Sequence, residues 1–259
     1  MCFRRGIDTG TRLFSCNQIE CFQRRIGFAQ GCSADIQFLA ELILVWKYIA
    51  RRQCAIQDSA LIRSKAAALA EAADNLAGFA IRNTATIGGN IMNASPAADT
   101  VPALMVLDAD VVTESADGEE VIKLADFMTG PKMTALKPGA ILTKIIIYPG
   151  KGNTAFVKLG RRAAETLSVV NAAAYVEKDG DACCAVRIAV GSCAPTAVLC
   201  KDAADCLVGR AIDQAAIDEA VKCIDAAIAP ISDVRSSAWY RREVAPVIAG
   251  RAIAQAAGI

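Results

Sequence analysis

Two adjacent glycines, Gly88 and Gly89, lie in the stretch TATIGGNIMNASPAAD beside residue types that bind phosphates. Glycine adopts positive φ readily and has no Cβ to obstruct a ligand, so we predict a turn at this pair. Strand-like residues precede the turn, and Ser95 followed by Pro96 predicts the start of a helix. The free amide groups of that helix would point back toward the turn. The pattern predicts a cradle for a phosphate or pyrophosphate.

Polar side chains around the glycines could supply further contacts to a ligand. Thr86, Asn90 and Asn93 offer neutral donors for phosphate oxygens or ribose hydroxyls, and Asp99 offers an acceptor. The stretch has neither the GxGxxG fingerprint of a dinucleotide-binding fold nor the GK[ST] of a P-loop. From these residues alone, a ligand cradle and an ordinary turn followed by a capped helix are both consistent with the sequence.

Composition excludes several classes of function. The chain of 259 residues has a net charge of +1, which argues against nucleic-acid binding through a basic surface. It contains no histidine, which removes the usual general base and zinc ligand, and we expect no metal site. The eleven cysteines form no CxxC pair, the longest apolar run is too short for a bilayer, and no signal-peptide pattern is visible. We therefore expect a cytoplasmic protein with reduced thiols and no membrane span.

The composition changes near residue 55, and this change suggests the domain organisation. Before it lie seven arginines and no proline; after it alanine dominates and all eight prolines occur. The first segment, residues 1–55, has weak periodicity, with one helix predicted over Ala34 to Ala50 after an N-cap at Ser33. We expect two further units, residues 56–150 and 154–259, joined by the linker PGKGN.

The second and third units contain regular helix and strand patterns. One helix is predicted over residues 59–77 and another from Pro96, followed by a β-hairpin with its turn at Asp117-Gly118 and a strand over 140–149. The third unit predicts a three-stranded antiparallel sheet backed by helices. Its predicted strands are residues 154–162, 169–178 and 182–194, and its predicted helices are residues 203–208, 213–227 and 236–257.

Three separated blocks of the chain resemble one protein family. They are IRNTATIGGNIMNASPAADTVPALMVLDADV (81–111), FVKLGRRAAETLSVVNAAAYVEKDG (156–180) and SDVRSSAWYRREVAPVIAGRAIAQA (232–256). In this order they resemble the FAD-binding medium subunit of molybdenum hydroxylases, a family that includes xanthine dehydrogenase, nicotinate dehydrogenase and carbon monoxide dehydrogenase. The resemblance covers roughly residues 56–259. It implies an α+β protein: the FAD-binding fold of vanillyl-alcohol oxidase followed by a smaller α+β domain.

The resemblance also implies which residues contact FAD. The expected contacts to its pyrophosphate and ribityl region are Thr86, Gly88, Gly89, Asn90 and Asn93. Asp99 would form a hydrogen bond on the flavin side of the site, and Ile141 and Leu142 would pack near the isoalloxazine ring. Lys158 would face that ring, where a cation stabilises negative charge on the reduced flavin. An ordinary charged strand residue is the alternative interpretation of Lys158.

The function that the resemblance implies is the last stage of an electron chain. A large subunit with a molybdenum pterin cofactor (molybdopterin) would oxidise the substrate, and a small subunit with 2Fe–2S clusters would relay electrons to FAD on this chain. FAD would pass them to NAD+ or another acceptor, so this oxidoreductase subunit would act only within the complex. A flavin-less structural subunit and a stand-alone flavin oxidoreductase are the alternatives.

The amino-terminal segment departs from the family pattern. The family also uses an AGGTDL-type loop on the opposite side of the FAD pyrophosphate, and residues 1–55 offer only AQGCSAD as a distant counterpart. A frame-shifted first subdomain and a divergent one are both open hypotheses, which reading the other frames of the coding region would separate. Cys16 and Cys21 have the C-x4-C spacing of a ferredoxin site, but Arg24 replaces the next cysteine, so we expect no cluster on this chain.

Overall fold

The computed structural model describes residues 44–46, 52–180 and 182–259. These residues belong to one compact unit, Leu42–Ile259. The AQGCSAD segment, the Cys16 and Cys21 pair and most of the helix predicted over Ala34 to Ala50 lie outside the described residues. That helix prediction is wrong at Leu44–Trp46, which form strand β1 because they pair with a strand from the middle of the chain.

Short helices build the first part of the described chain. They are α1 (Gln53–Gln57), α2 (Ala60–Lys65), α3 (Ala67–Asp74), α4 (Phe79–Thr84), α5 (Ile87–Met92) and α6 (Thr100–Val106). The helix predicted over residues 59–77 is present in two pieces, because Ala66 has a φ of −149° and a ψ of 55°, which are not helical. The buried side of α3 consists of alanines and one leucine, so its neighbours can pack closely against it.

A four-stranded antiparallel sheet follows, with strand order β1-β6-β2-β3. The elements of this region are β2 (Asp110–Ser115), β3 (Gly118–Lys123), α7 (Leu124–Phe127), β4 (Met128–Gly130), β5 (Met133–Thr134) and β6 (Ile141–Ile147). The predicted hairpin is present, but its two-residue turn is Ala116-Asp117, because Gly118 pairs with Ser115. Gly118 has a φ of +122°, which other residues rarely adopt.

The carboxyl-terminal half contains the predicted antiparallel sheet with one additional strand. The three predicted strands are β7 (Asn153–Gly160), β8 (Ser168–Asp179) and β9 (Ala182–Gly191). A two-residue strand, β10 (Val198–Leu199), pairs with β9 and completes the order β10-β9-β8-β7. The sheet therefore has four strands rather than three, and β10 is too short for sequence periodicity to reveal.

Helices cover the second sheet. They are α8 (Lys201–Asp205), α9 (Gln214–Ala220), a 3-10 turn (Val221–Cys223), α10 (Ile224–Ala227) and α11 (Ala238–Ala257). α11 begins after Ser237, whose Oγ accepts a hydrogen bond from the Tyr240 amide, and ends at Gly258 in the left-handed conformation. No helix within the described ranges is long and apolar enough to cross a membrane.

Two apolar cores meet at strands β7 to β9. Successive side chains of a strand point to opposite faces, so Ala173 and Tyr175 of β8 face the first core while Ala172 and Ala174 face the second. The first core also contains side chains of α3 and α6, and the second contains side chains of α9 and α11. The second sheet is therefore buried on both faces and joins the helices of the first half to those of the second.

Candidate cofactor-binding site

The glycine pair lies in helix α5 rather than in the turn predicted for it. Thr86 is the N-cap residue, and its Oγ1 accepts a hydrogen bond of 3.0 Å from the Gly89 amide. Gly88 and Gly89 follow Ile87 in the first turn of this helix. The predicted strand and glycine turn are wrong because the Thr86 cap satisfies an amide at the helix start, which offsets the low helix propensity of two glycines.

The segment after the glycines also differs from its prediction. Pro96 lies in a turn rather than in a helix, and the Oγ of the preceding Ser95 accepts a hydrogen bond from the Ala97 amide. The next helix, α6, begins at Thr100 instead of Pro96, and Pro102 lies in its first turn, where no intrahelical amide donor is needed. The free amides of α6 are thus displaced along the chain from the position that the sequence predicted.

An open groove of about 430 Å³ lies beside α5. One wall is a side of α5, and the other is the beginning of β6 with the loop that precedes it. The residues that line the groove are Thr86, Gly88, Gly89, Met92, Leu136, Ala140, Ile141 and Leu142. Because Thr86 carries the single polar side chain of this set, the groove is an apolar surface with glycine backbone along one side.

Five of the predicted FAD contacts lie together in this groove: Thr86, Gly88, Gly89, Ile141 and Leu142. Ile141 is 63% exposed, whereas Leu142 is buried and extends into the first core. The structure therefore brings residues 81–111, which we call the glycine block, next to strand β6, more than fifty residues beyond Gly89 in the chain.

Three groove residues were not predicted from the sequence. Met92 lies one helical turn after Gly89, so a helical interpretation of this segment would have placed both on the same side. Leu136 and Ala140 come from an irregular segment before β6, and no sequence pattern marks them.

The two asparagines of the glycine block are engaged elsewhere. Asn90 Oδ1 accepts a hydrogen bond of 2.7 Å from the Thr100 hydroxyl, which ties α5 to the start of α6. Asn93 Oδ1 accepts one of 2.6 Å from Lys132 Nζ. Neither asparagine is among the lining residues of the groove, so the structure does not bring them together with Gly88 and Ile141.

Asp99 and Lys158 form a buried ion pair instead of lining the groove. Lys158 Nζ lies 2.7 Å from Asp99 Oδ2, and the two side chains are 4% and 6% exposed. Lys158 also donates to the Asn75 carbonyl at 2.8 Å. The second Asp99 oxygen accepts hydrogen bonds from Ser168 and Asn171, both fully buried. We call these five residues the Asp99 cluster.

The Asp99 cluster connects the residue before α6 with strands β7 and β8. Every charge in it has a partner, as buried charges require. The ammonium of Lys158 therefore points at Asp99, which differs from the predicted orientation toward a flavin ring. The strand register places Lys158 opposite Asn171, which explains how one carboxylate reaches both strands.

The groove has the chemistry that a flavin nucleotide requires. Gly89 is exposed, and a Cβ on it would come within 2.9 Å of Thr86 Oγ1, so a side chain there would force the capping hydroxyl to shift. Bare backbone at this position leaves room for a phosphate-bearing chain, whose oxygens can accept from amides of a first helical turn. The exposed apolar side chain of Ile141 on the opposite wall, with Leu142 buried behind it, suits a flat ring system. The residues present therefore fit the two chemically distinct parts of FAD.

Comparison with known proteins gives two consecutive family matches. Residues 50–149 match the FAD binding domain in molybdopterin dehydrogenase, and residues 155–256 match the CO dehydrogenase flavoprotein C-terminal domain. The first match contains every residue of the groove, and the boundary between the matches falls at the beginning of β7.

Individual relatives agree with these matches. The carbon monoxide dehydrogenase medium chain of Afipia carboxidovorans is 33% identical over 207 residues, which cover 79% of this chain and 71% of that protein. The glyceraldehyde dehydrogenase medium chain of Sulfolobus acidocaldarius is 28% identical over 203 residues, covering 78% and 72%. Among solved structures, a chain of the reconstituted CO dehydrogenase from Oligotropha carboxidovorans has a TM-score of 0.79 at 29% identity, over 84% of this chain and 79% of that chain.

Proposed function

Because this chain belongs to the FAD-binding medium subunits of the molybdenum hydroxylases, we propose that it holds FAD in the groove between α5 and β6. The family and the α+β fold expected from the sequence resemblance are confirmed. One observation carries the placement of FAD: Thr86, Gly88 and Gly89 meet Ile141 and Leu142 along a single groove.

We assign two parts of FAD to the two walls of the groove. The backbone at Gly88 and Gly89 would lie against the pyrophosphate, with the Thr86 cap holding that backbone in place. The side chain of Ile141 would pack against the isoalloxazine ring and exclude water from it, and Leu142, buried in the first core, would support that wall from behind. When bound, FAD supplies redox chemistry that joins one-electron carriers to a two-electron acceptor.

The predicted site residues outside the groove would act by positioning its walls. Asn90 holds α5 against α6 through Thr100. Asp99 and Lys158 hold the start of α6 on strands β7 and β8. In this proposal Lys158 influences the flavin through the position of α6, since its charge is already neutralised by Asp99.

We further propose that the chain works with a molybdopterin-containing large subunit and a 2Fe–2S small subunit. Its relatives named above are medium chains, which supports assembly with other subunits. An exposed apolar segment before and within the first turn of α11, with Ile231, Val234 and Trp239 at 65%, 93% and 69% exposure, is suited to a subunit interface. In this proposal residues 56–150 hold FAD and residues 154–259 dock on the partner subunits. NAD+ is the proposed electron acceptor of the flavin. The cytoplasm is the proposed compartment.

The decisive experiment is to purify the full chain, alone and with its co-expressed partner subunits, and to record its visible spectrum. Flavin absorbance that decreases on addition of NADH supports the proposal. Gly89→Ala should lower flavin retention by about tenfold or more, because the added Cβ would meet Thr86 Oγ1 at 2.9 Å and occupy space proposed for the pyrophosphate. Gly130→Ala is the matched control, because its Cβ would make only ordinary contacts, at 3.7 Å or more.

Two other outcomes would favour the alternatives. A colourless chain that still purifies with a molybdenum subunit would indicate a flavin-less structural subunit. In that case the lack of an AGGTDL-type loop would explain the loss of FAD binding. A yellow chain that associates with no other subunit and oxidises a substrate by itself would indicate a stand-alone flavin oxidoreductase. Unchanged flavin retention in Gly89→Ala would contradict the placement of the pyrophosphate.

A further inference from the structure

Two cysteines at the edge of the carboxyl-terminal half face each other. The Sγ atoms of Cys206 and Cys223 are 3.8 Å apart, although 17 positions separate the residues in the chain. Cys206 is the residue after α8, and Cys223 ends the 3-10 turn. Both side chains are partly exposed, so a small oxidant can reach them.

The two chain segments that carry these thiols are already held together. Arg210 donates to the Cys206 carbonyl and forms an ion pair of 3.0 Å with Glu219, which lies in α9, the helix that leads directly into the 3-10 turn. Closing the gap between the sulfurs therefore requires a change of side-chain rotamers and little movement of backbone, since a disulfide bond is about 2.05 Å long.

The other described cysteines lack this combination of exposure and a partner. Cys183, Cys193 and Cys200 are buried, and Cys184 is exposed, but none of them has a thiol partner within hydrogen-bonding distance in the described residues. Cys54 is partly exposed and lies far along the chain from the others. Formation of an intramolecular disulfide should therefore select Cys206 and Cys223 from the described set, because this pair combines exposure with a facing thiol.

We propose that Cys206 and Cys223 form a reversible disulfide, a redox modification site outside the FAD groove. The co-reactant is hydrogen peroxide. One thiolate attacks a peroxide oxygen and the O–O bond breaks, which gives a sulfenic acid and one water after protonation. The second thiol then displaces the sulfenic hydroxyl as a second water, and the disulfide forms. In total two S–H bonds are lost, one S–S bond forms, and two electrons reduce one peroxide to two molecules of water.

The bond would restrain the outer helices of the carboxyl-terminal half. It would link the end of α8, which packs beside β9, to the turn that joins α9 and α10. A cross-link of this kind stabilises chiefly by limiting the unfolded chain, so the oxidised protein should unfold at a temperature several degrees higher. The groove is built from other elements, so flavin content should stay the same.

The test treats the purified full chain with hydrogen peroxide and maps disulfides by mass spectrometry without reduction. The expected product is one intramolecular link between the peptides carrying Cys206 and Cys223, with two fewer titratable thiols and recovery by dithiothreitol. Cys206→Ser and Cys223→Ser should each abolish the link and the rise in melting temperature. Cys184→Ser, which removes an exposed thiol without this partner, should change neither.

Several results would overturn the proposal. They are a link from Cys206 to another cysteine of the chain, a disulfide between two copies, or separate oxidation of both thiols to sulfinic acid without a link. A link that forms but leaves the melting temperature unchanged would remove the stabilising role, because the segments would then be equally restrained without it.

Discussion

The groove and the Asp99 cluster both draw on the glycine block of residues 81–111, but their physical character differs. The groove is open and apolar, and Thr86 provides its single polar side chain. The Asp99 cluster is closed and ionic, with Lys158 and Asp99 almost completely withdrawn from solvent. One stretch of sequence therefore contributes to two structures that differ in exposure and polarity.

This difference separates binding from folding. Gly89 and Ile141 of the groove are exposed, so changing them should affect a ligand more than the free energy of unfolding. Asp99 and Lys158 of the cluster hold two halves of the fold together and are shielded from water that could replace a lost partner, so changing them should affect folding first. The family resemblance implies one site that includes Asp99 and Lys158, whereas the structure places these two residues outside the lining of the groove.

The largest effect is expected from Lys158→Ala. Removing the ammonium leaves the Asp99 carboxylate buried without its cation, which should lower the free energy of unfolding by about 3–5 kcal/mol. Urea unfolding followed by circular dichroism measures this change. Lys137→Ala is the control, because its ion pair with Glu120 is exposed and should contribute less than about 1 kcal/mol. A similar small loss in both variants would show that the Asp99 cluster is as solvated as the surface.

A second prediction concerns the closed core of the carboxyl-terminal half. Burial raises the pKa of Cys193 and of Cys200 from 9.0 to about 12. Both thiols stay neutral in the folded protein at pH 10 but ionise when it unfolds. The contribution of these buried neutral thiols to the free energy of unfolding is therefore complete below pH 9 and is lost as the pH rises toward 12. Each thiol should cost about 1 kcal/mol of stability at pH 10.

Denaturant unfolding at pH 8 and pH 10 tests this pH dependence. The double variant with Cys193→Ala and Cys200→Ala should lose less stability between these pH values than the parent chain does. Cys184→Ala changes an exposed thiol and should leave the parent's pH dependence unaltered. Equal pH dependence in all three proteins would mean that the second core admits water as the groove does.

A smaller effect is expected at Glu71, where helix α3 contacts strand β7 and helix α11 of the carboxyl-terminal half. Glu71 accepts hydrogen bonds from the Phe156 amide at 2.7 Å and from Gln255 at 2.8 Å, and partial burial raises the pKa of its carboxyl group. Glu71→Gln keeps an acceptor and removes a half-buried charge, so it should stabilise the protein at pH 7 by up to about 1 kcal/mol. Because the pKa of Glu71 is raised in the folded protein, the wild-type protein loses stability as the pH rises through that pKa. The stability advantage of Glu71→Gln should therefore vanish below pH 4.5. A destabilised variant at pH 7 would show that the negative charge of Glu71 itself stabilises the contact between α3 and the carboxyl-terminal half.

The carboxyl-terminal sheet was predictable because its strands carry their own signal. Residues 169–176 are continuously apolar apart from Asn171, as expected for a strand buried on both faces, and Gly180 marks the turn to the next strand. The short strand β10 has no such signal, and neither does β1, which exists through pairing with β6.

The conformation of the glycine block was not predictable from the sequence. Two glycines favour a turn over a helix, and in the folded protein the Thr86 cap offsets this preference. The pairing of Asp99 with Lys158 spans 59 positions, so no local pattern contains it. The separation of the groove from the Asp99 cluster therefore required the three-dimensional structure.

The smallest effect on folding is expected in the groove itself. Ile141→Ser removes an apolar side chain that is 63% exposed, so the free energy of unfolding should change by less than about 0.5 kcal/mol. If this side chain packs on the flavin ring, the same change should weaken flavin retention several-fold, measured by absorbance after gel filtration. Val121→Ser is the matched control, because Val121 is 57% exposed in the same sheet but does not line the groove.

The two measurements on Ile141→Ser decide whether binding and folding are separable in this chain. Weakened flavin retention with unchanged stability would support the division of tasks between the groove and the Asp99 cluster. Equal losses of both would mean that β6 supports the fold as strongly as the cluster does. If Ile141→Ser and Val121→Ser retained flavin equally, the ring would lie against a surface other than this wall, and the apolar character of the groove would need a different ligand to explain it.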